Sequence, residues 1–308
     1  MIAARQRIAA HLPVTPTRNY PALDRRAGCE VWVKHENHQP VGAFKVRGGV
    51  NLVACLSDAE RQAGVLGAST GNHGLSIAFA AKRFGVGARI FVPDGANPVK
   101  VGRIGDLGAQ VVVGGTDFDE ARQACADYAA EHGGRYIHSG DEPLLIAGVA
   151  TETVELLEAA PELDAIVVPV GGGSGAAGAV IAAAAMSPRA EVIGVQSEAA
   201  RTAHDAWRAG ERRSGTTNTF AEGLATRESF DLPQQILKGG LHDFVLVSDD
   251  EICAAMLVMI ETTQNLVEGA GAAALAAVLR YPDRFAGRKV GVIASGGNVT
   301  VDQLRAIL

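Results

Sequence analysis

Residues 167–180 read VVPVGGGSGAAGAV: an apolar run, a glycine loop and a run of small residues. The apolar run predicts a buried strand, and the small residues after the loop predict a helix. Backbone N–H groups at the start of such a helix favour an anion, typically a phosphate. The glycines could instead serve only the tight packing of strand against helix. The stretch therefore predicts one strand–loop–helix unit with a candidate phosphate site.

The same alternation extends along the chain in both directions. Near-continuous apolar runs are separated by helical patterns of roughly 10–18 residues, which is typical of parallel sheets covered on both faces. The fold class predicted is therefore α/β. The runs cover residues 65–69, 88–93, 109–114, 135–139, 164–170, 191–196, 243–248 and 289–295. The least periodic part, residues 208–229, predicts a long loop.

Composition excludes several classes of function. The chain has 308 residues, enough for two domains, and a net charge of −6 without a block of like charges. That balance argues against a nucleic-acid or anionic-membrane partner. Residues 165–188 carry no charge, but Pro169 and the glycine loop exclude one continuous membrane helix.

Cellular location is predicted from the cysteines and the N-terminus. The four cysteines are scattered without a CxxC pair, which indicates a reducing compartment rather than a disulfide or zinc framework. The first twenty residues lack the apolar core of a signal peptide. We therefore expect a cytoplasmic protein.

The glycine loop also allows a different cofactor. Residues 173–178, GSGAAG, satisfy the dinucleotide pattern GxGxxG, and Glu198 follows about twenty residues later, after the next predicted strand. On this stretch alone, an NAD-dependent dehydrogenase is a serious alternative.

Three further segments are interpreted as candidate binding loops. ASTGNHG, residues 68–74, follows a predicted strand and opens a helix, so its N–H groups suit a carboxylate, although a helix cap by Thr70 or Asn72 would explain it too. ASGGN, residues 294–298, places Ser295 at the carboxyl end of a strand, where open α/β sheets bind ligands. AFKVRGG, residues 43–49, sets one lysine among small residues.

Taken together, and in this order, the four segments resemble the fold-type II pyridoxal-phosphate (PLP) enzymes, in particular the serine/threonine dehydratases (threonine ammonia-lyases) and serine racemases. The resemblance extends from HLPVTPT at residue 11 to the end of the chain. It implies a two-domain, tryptophan synthase β-like fold with the cofactor in the interdomain cleft, a homodimer and a small amino-acid substrate. The domains expected are 1–58 with 142–308, which bind the cofactor, and 64–141, which carries the substrate loop. No C-terminal regulatory domain is expected.

The resemblance also implies roles for individual residues. Lys45 is similar to the Schiff-base lysine, for which a desolvated amine with a lowered pKa is a usable nucleophile and base. The other cofactor-binding positions implied are Phe44, Asn72, Gly171, Gly172, Gly173, Ser174, Gly175 and Ser295. The substrate carboxylate would be held by Ser69, Thr70, Gly71 and His73.

The implied reaction is the elimination of water from an L-β-hydroxy amino acid, threonine or serine first, to give a 2-oxo acid and ammonia. Ser295 stands where a partner of the pyridine nitrogen is expected, and a hydroxyl cannot keep that nitrogen charged. A poorer electron sink disfavours a long-lived carbanion, which favours elimination. An amino-acid racemase is the alternative, but Thr70 replaces the serine that serves as second acid/base in serine racemases.

Other departures from the family pattern concern a metal and the pocket. Gln196 and Thr202 stand at positions that are acidic in metal-binding relatives, so no metal site is expected there. His35 and His38 lack a third ligand and are interpreted as a polar turn. Three further positions are compared with the family pattern but are given no role in the reaction: Ala43 replaces a serine, Gly140 replaces a larger residue, and Glu268 matches an acidic residue near the cofactor.

Overall fold

The strands form two separate sheets. The structure, a computed structural model, describes residues 1–308. The first sheet has six strands in the order β1-β2-β10-β7-β8-β9. Only β1 is antiparallel to its neighbour. The strands are β1 (Thr17–Asn19), β2 (Glu30–His35), β7 (Ala165–Pro169), β8 (Glu191–Ser197), β9 (Asp243–Val247) and β10 (Lys289–Ala294).

The second sheet has four parallel strands in the order β5-β4-β3-β6. They are β3 (Val65–Ala68), β4 (Ala88–Val92), β5 (Gln110–Val113) and β6 (Arg135–Tyr136). Because β3 pairs with β6, the segments that follow these two strands leave the sheet at the same edge, side by side.

Fifteen helices connect and cover the strands. They are α1 (Ile2–Ala9), α2 (Pro21–Ala27), α3 (Lys45–Ala54), α4 (Asp58–Ala63), α5 (Asn72–Phe84), α6 (Pro98–Asp106), α7 (Phe118–His132), α8 (Pro143–Ala159), α9 (Ser174–Met186), α10 (Thr202–Ala209), α11 (Asp231–Gly240), α12 (Asp249–Thr263), α13 (Gly269–Arg280), α14 (Pro282–Phe285) and α15 (Val301–Ile307). Short 3-10 turns cover residues 36–38, 198–200 and 222–224.

Side-chain alternation explains why the six-stranded sheet is covered on both faces. Ala165 and Val167 of β7 join the core formed with α2, α12 and α13. Their neighbours Ile166 and Val168 point to the opposite face and join the core formed with α8, α9 and α11. Successive residues of a strand point to opposite faces, so a strand buried on both sides is apolar throughout.

The chain divides into two compact units. Unit 1 consists of Met1–Pro13 and Lys45–Gly148, and unit 2 consists of Val14–Phe44 and Val149–Leu308. These limits differ from the expected domain boundaries at residues 1–13, 45–58 and 142–148, which belong to unit 1. Helix α3, at residues 45–54, is thus part of unit 1. The close packing of α3 on α5 explains this, because Ser76 Oγ donates a hydrogen bond to the carbonyl of Lys45 at 2.7 Å. The expected domains themselves stay a prediction.

The α/β class and the parallel-rich sheets predicted from the sequence are confirmed. The uncharged stretch 165–188 forms β7, the glycine loop and α9, as predicted. None of the helices has both the length and the apolar character that a membrane crossing requires.

Candidate active site

The glycine loop of unit 2 ends at an uncapped helix. Gly173 is the N-cap of α9 with φ 89°, and no side chain caps the helix. By contrast, α4, α6, α7, α12 and α15 each begin with a side-chain cap. The first N–H groups of a helix have no partner inside the helix, so an uncapped start suits an anion.

Packing behind this loop requires glycine. A Cβ at Gly171 would overlap the carbonyl oxygen of Gly223, and one at Gly172 would overlap the ring of Phe230. Thr226 Oγ1 also donates a hydrogen bond to the carbonyl of Gly171 at 3.3 Å. The loop is thus held in shape from behind, as a preformed phosphate cradle would be, and it fits the phosphate of PLP.

The lysine segment and the last loop meet through backbone bonds in unit 2. Phe44 N–H donates to the carbonyl of Ser295 at 3.0 Å, and Ala43 forms an isolated bridge with Gly296. Ser295 is buried and directly follows β10. The ring of Phe44 lies beside the glycine loop, 3.1 Å from where a Cβ of Gly175 would be. The structure therefore brings Phe44, Gly175 and Ser295 together.

Glu268 belongs to the same neighbourhood. Its N–H donates to the carbonyl of Gly296 at 3.0 Å, and its Oε1 fills the space where a Cβ of Gly296 would be. It is the N-cap residue of α13, without a side-chain cap bond. Sequence reasoning missed a second carboxylate, Glu152 of α8. It is buried, with its Oε1 3.6 Å from the Cβ position of Gly175.

Lys45 and the predicted substrate loop both lie in unit 1. Lys45 is the first residue of α3, which packs on α5. The loop between β3 and α5 is folded back on itself, because Ser69 Oγ accepts a hydrogen bond from Gly71 N–H at 3.1 Å. Neither Thr70 nor Asn72 caps α5, whose N-cap is Gly71 without a side-chain cap bond. The start of α5 therefore has no side-chain cap at its N-cap position and suits an anion such as a carboxylate.

His73 fixes the beginning of α5. It is 5% exposed, and its Nε2–H donates to the carbonyl of Ile137 at 3.1 Å. The pKa of His73 is lowered to about 3, mainly by burial and also by the positive charge of Lys45. The ring of His73 is therefore neutral at pH 7, and it makes its hydrogen bond inside unit 1.

Sequence reasoning also missed His138, which follows β6 at the sheet edge that carries the substrate loop. Its Nδ1 accepts hydrogen bonds from Asp141 N–H at 2.8 Å and Gly140 N–H at 3.2 Å. The proton of the neutral ring is therefore on Nε2. Burial is the main cause that lowers the pKa of His138, and Lys45 contributes to the lowering. In the sequence, the only feature that drew attention to the residues around His138 was Gly140, which replaces a larger residue of the family pattern.

The positions that were considered for a metal are occupied by other contacts. Gln196 is buried, and its Oε1 accepts from His204 N–H at 3.0 Å. Thr202 is the first residue of α10. His35 is bonded through Nε2 to the hydroxyl of Tyr20 at 2.9 Å, and burial lowers its pKa to about 4. His38 lies in the 3-10 turn of residues 36–38.

Comparison with known proteins identifies the family. A family model described as "Pyridoxal-phosphate dependent enzyme" matches residues 8–296. Membership removes the support for the dehydrogenase alternative. In agreement with this, Glu198, the acidic residue on which that alternative relied, forms an ion pair with Arg280 at 2.9 Å.

Individual relatives cover nearly the whole chain. L-threonine ammonia-lyase of Thermotoga maritima is 38% identical over 93% of this chain and 71% of its own length. L-threo-3-hydroxyaspartate ammonia-lyase of Saccharomyces cerevisiae is 35% identical over 100% and 95%. The solved structure of serine racemase from Dictyostelium discoideum superimposes with a TM-score of 0.92 at 33% identity, covering 97% of each chain. The chain belongs to the pyridoxal-phosphate dependent enzyme family, with the fold of its fold-type II members.

Proposed function

We propose that this protein is a PLP-dependent ammonia-lyase. It removes water from an L-β-hydroxy amino acid, with threonine or serine as the first candidates, and releases a 2-oxo acid and ammonia. The relatives named as ammonia-lyases support this reaction. The observation that carries the proposal is the meeting of Phe44 with Ser295 and Gly175, since it brings Ser295, a residue with a neutral side chain, to the segment that leads to Lys45 and to the glycine loop.

The residues that would hold the cofactor are those named from the sequence. Lys45 Nζ would hold it covalently, with Phe44 against it, Asn72 and Ser295 bonded to the ring, and the loop of Gly171, Gly172, Gly173, Ser174 and Gly175 around the phosphate. PLP supplies an electron sink for the substrate carbon that loses its proton. A serine hydroxyl does not hold the ring nitrogen in its charged form, which favours prompt loss of the β-hydroxyl.

The chain's own groups would carry the proton transfer and the positioning. The amine of Lys45 would take the Cα proton as a general base, a role typically worth about 10²–10⁴-fold in rate. Backbone N–H groups of Ser69, Thr70, Gly71 and His73 would hold the substrate carboxylate at the uncapped start of α5. The neutral ring of His73 supports this loop through Ile137.

Racemisation is a second candidate, favoured by the similarity to serine racemase. It requires proton delivery to the face of Cα opposite Lys45, and Thr70 is the residue at the expected position. The β-methyl of threonine restricts χ1 and can turn its hydroxyl away from Cα. We therefore propose that elimination exceeds racemisation.

Three broader assignments are also proposals. Residues 64–141 would act as the substrate-loop domain, and 1–58 with 142–308 as the cofactor-binding domain. The protein would be a homodimer. A cytoplasmic location is supported by the four cysteines, which are all free thiols.

Covalent labelling and a substrate panel test the proposal. Purified protein should be yellow, and borohydride reduction should attach the cofactor to Lys45, as peptide mass spectrometry can establish. In a separate assay with unreduced protein, threonine, serine and 3-hydroxyaspartate should be tested for 2-oxo acid formation, with Lys45→Ala as the inactive control. A colourless protein that forms no 2-oxo acid after addition of PLP would refute the activity, and a label on another lysine would refute the role of Lys45.

A further inference from the structure

A cluster of buried polar side chains lies in unit 2, where β2 ends. It consists of Thr15, Lys34, Glu36, Gln39 and Glu155, and each is at most 7% exposed. We call it the buried ion cluster. Three of its members are ionisable, one ammonium and two carboxylates. Charges withdrawn from water are costly unless they are paired and hydrogen-bonded, so this group depends on its internal contacts.

The contacts converge on Lys34 and Glu36. Lys34 Nζ donates to Glu155 Oε2 at 2.5 Å and to the carbonyl of Thr15 at 2.8 Å, and it lies 4.0 Å from Glu36 Oε1. Glu36 accepts from Thr15 Oγ1 at 2.5 Å through Oε1 and from Gln39 Nε2 at 3.2 Å through Oε2. Glu36 thus uses its two oxygens to hold two different segments of the chain.

These contacts fix the beginning of residues 36–44, the segment that leads to the lysine. Gln39 N–H donates to the carbonyl of Glu36 at 3.2 Å, and Gly42 N–H donates to the carbonyl of Gln39 at 2.7 Å. The far end is fixed separately, because Asn298 Nδ2 donates to the carbonyl of Val41 at 2.8 Å and Phe44 is bonded to Ser295. The segment is therefore held at both ends by independent sets of hydrogen bonds.

We propose that Glu36 is a positioning residue for the reaction: by holding the start of segment 36–44, it sets where Phe44, the residue that precedes Lys45, lies relative to Ser295. The inference rests on the proposed roles of Lys45 and Ser295. A displacement of about 1 Å at a reacting group can cost about 10²-fold in rate, so a small shift of this segment has a measurable effect.

Three variants separate positioning from stability. Glu36→Ala removes both side-chain acceptors, whereas Glu36→Gln keeps an acceptor for Thr15 and loses the one for Gln39. Thr15→Val removes one hydrogen bond and leaves all three ionisable groups in place, so it serves if the Glu36 variants do not fold. Glu30→Gln is the matched control, since Glu30 is an exposed residue of β2, the strand that leads to Glu36, and accepts a hydrogen bond from Trp32 Nε1 at 2.7 Å.

The readouts are the visible absorption band of the bound cofactor, kcat, KM and the melting temperature of each unreduced protein. Borohydride labelling is carried out on a separate sample of each. We expect kcat to fall by about 10–100-fold in Glu36→Ala, with KM changed by less than about threefold and the band shifted. Glu36→Gln and Thr15→Val should show smaller changes of the same kind, and Glu30→Gln none.

Variants that melt at lower temperature but keep the absorption band and kcat of the wild type would overturn this inference and leave a purely structural role for Glu36. Such a result with the label still on Lys45 leaves the proposed function intact. A label on a different lysine in the wild-type protein would overturn this inference and the proposed role of Lys45, whereas the activity itself is tested by 2-oxo acid formation.

Discussion

At the scale of single residues, the glycine loop has one position where backbone packing leaves no room for a methyl group. A Cβ at Gly171 would overlap the carbonyl oxygen of Gly223, which belongs to the backbone and cannot rotate away. We expect Gly171→Ala to displace the loop and to raise the dissociation constant of PLP at least tenfold, about 1.4 kcal/mol. Cofactor titration followed by absorbance measures this.

Gly105→Ala is the control for that variant. Gly105 lies inside α6 with open space at its Cβ, so the substitution should leave PLP binding unchanged and stabilise the helix by up to about 1 kcal/mol. Equal PLP affinities for wild type and Gly171→Ala would show that the loop does not hold the phosphate.

A second residue-scale prediction concerns Thr70. If the β-methyl keeps its hydroxyl from Cα, Thr70→Ser should raise the ratio of racemisation to elimination several-fold. Chiral analysis of the remaining substrate, together with 2-oxo acid release, gives both rates from one reaction. An unchanged ratio would mean that Thr70 does not decide the outcome.

At the scale of elements, the contact between α3 and α5 depends on Gly49. A Cβ at this position would overlap Ser76 Oγ, the group that donates to the carbonyl of Lys45. We expect Gly49→Ala to lower the free energy of unfolding by about 1–3 kcal/mol, because overpacking forces the helices apart. Urea denaturation measures the loss, and Gly102→Ala in α6, where a Cβ meets open space, is the control. An unaltered unfolding midpoint for Gly49→Ala would contradict the tight packing.

Elements are also where the sequence was most informative. Every predicted strand run overlaps an observed strand, and the helix predicted to follow the ASTGNHG loop is α5. These features follow from the local periodicity of apolar residues, which can be read directly from the sequence. The order of strands does not: β10 lies between β2 and β7, and the short antiparallel β1 gave no periodic signal. The packing of α3 on α5 could likewise not be predicted, since it depends on the close contact of Gly49 with Ser76, which are far apart in sequence.

The candidate site, too, could be predicted from the sequence only in part. Motifs with glycine and short polar residues marked the loops, because such residues are needed for exposed N–H groups. No sequence motif identified Glu152, His138 or the buried ion cluster. Their residue types are common on protein surfaces, and only tertiary packing reveals that Glu152 is 1% exposed. The sequence could therefore identify the loops but not the side chains that pack around them.

At the scale of the whole molecule, two buried histidines predict acid sensitivity. Burial lowers the pKa of His73 to about 3 and of His35 to about 4, below the ordinary value of 6.5. Between pH 6.5 and those values the unfolded chain binds protons that the folded chain does not. Stability is therefore full above pH 6.5 and falls as the pH decreases, by up to about 1.4 kcal/mol per pH unit for each histidine.

Urea denaturation at several pH values between about 7.5 and 5 measures this slope. His35→Gln removes one titrating group and should make the free energy of unfolding depend less steeply on pH. Parallel curves for wild type and variant would show that His35 is not a source of the acid sensitivity.

The central place of β10 has a consequence for how the chain is made. In unit 1 the four-stranded sheet has all its strands once residue 136 has been synthesised, so it can form while the ribosome is still at work. In unit 2, the parallel neighbour of β2 is β10, which begins at residue 289. The pairing of β2 with β10 therefore cannot form before this part of the chain has been synthesised. For most of translation β2 has an open apolar edge, and chains that stall before residue 289 would expose it to other nascent chains. Demand for chaperones during synthesis should therefore come from unit 2.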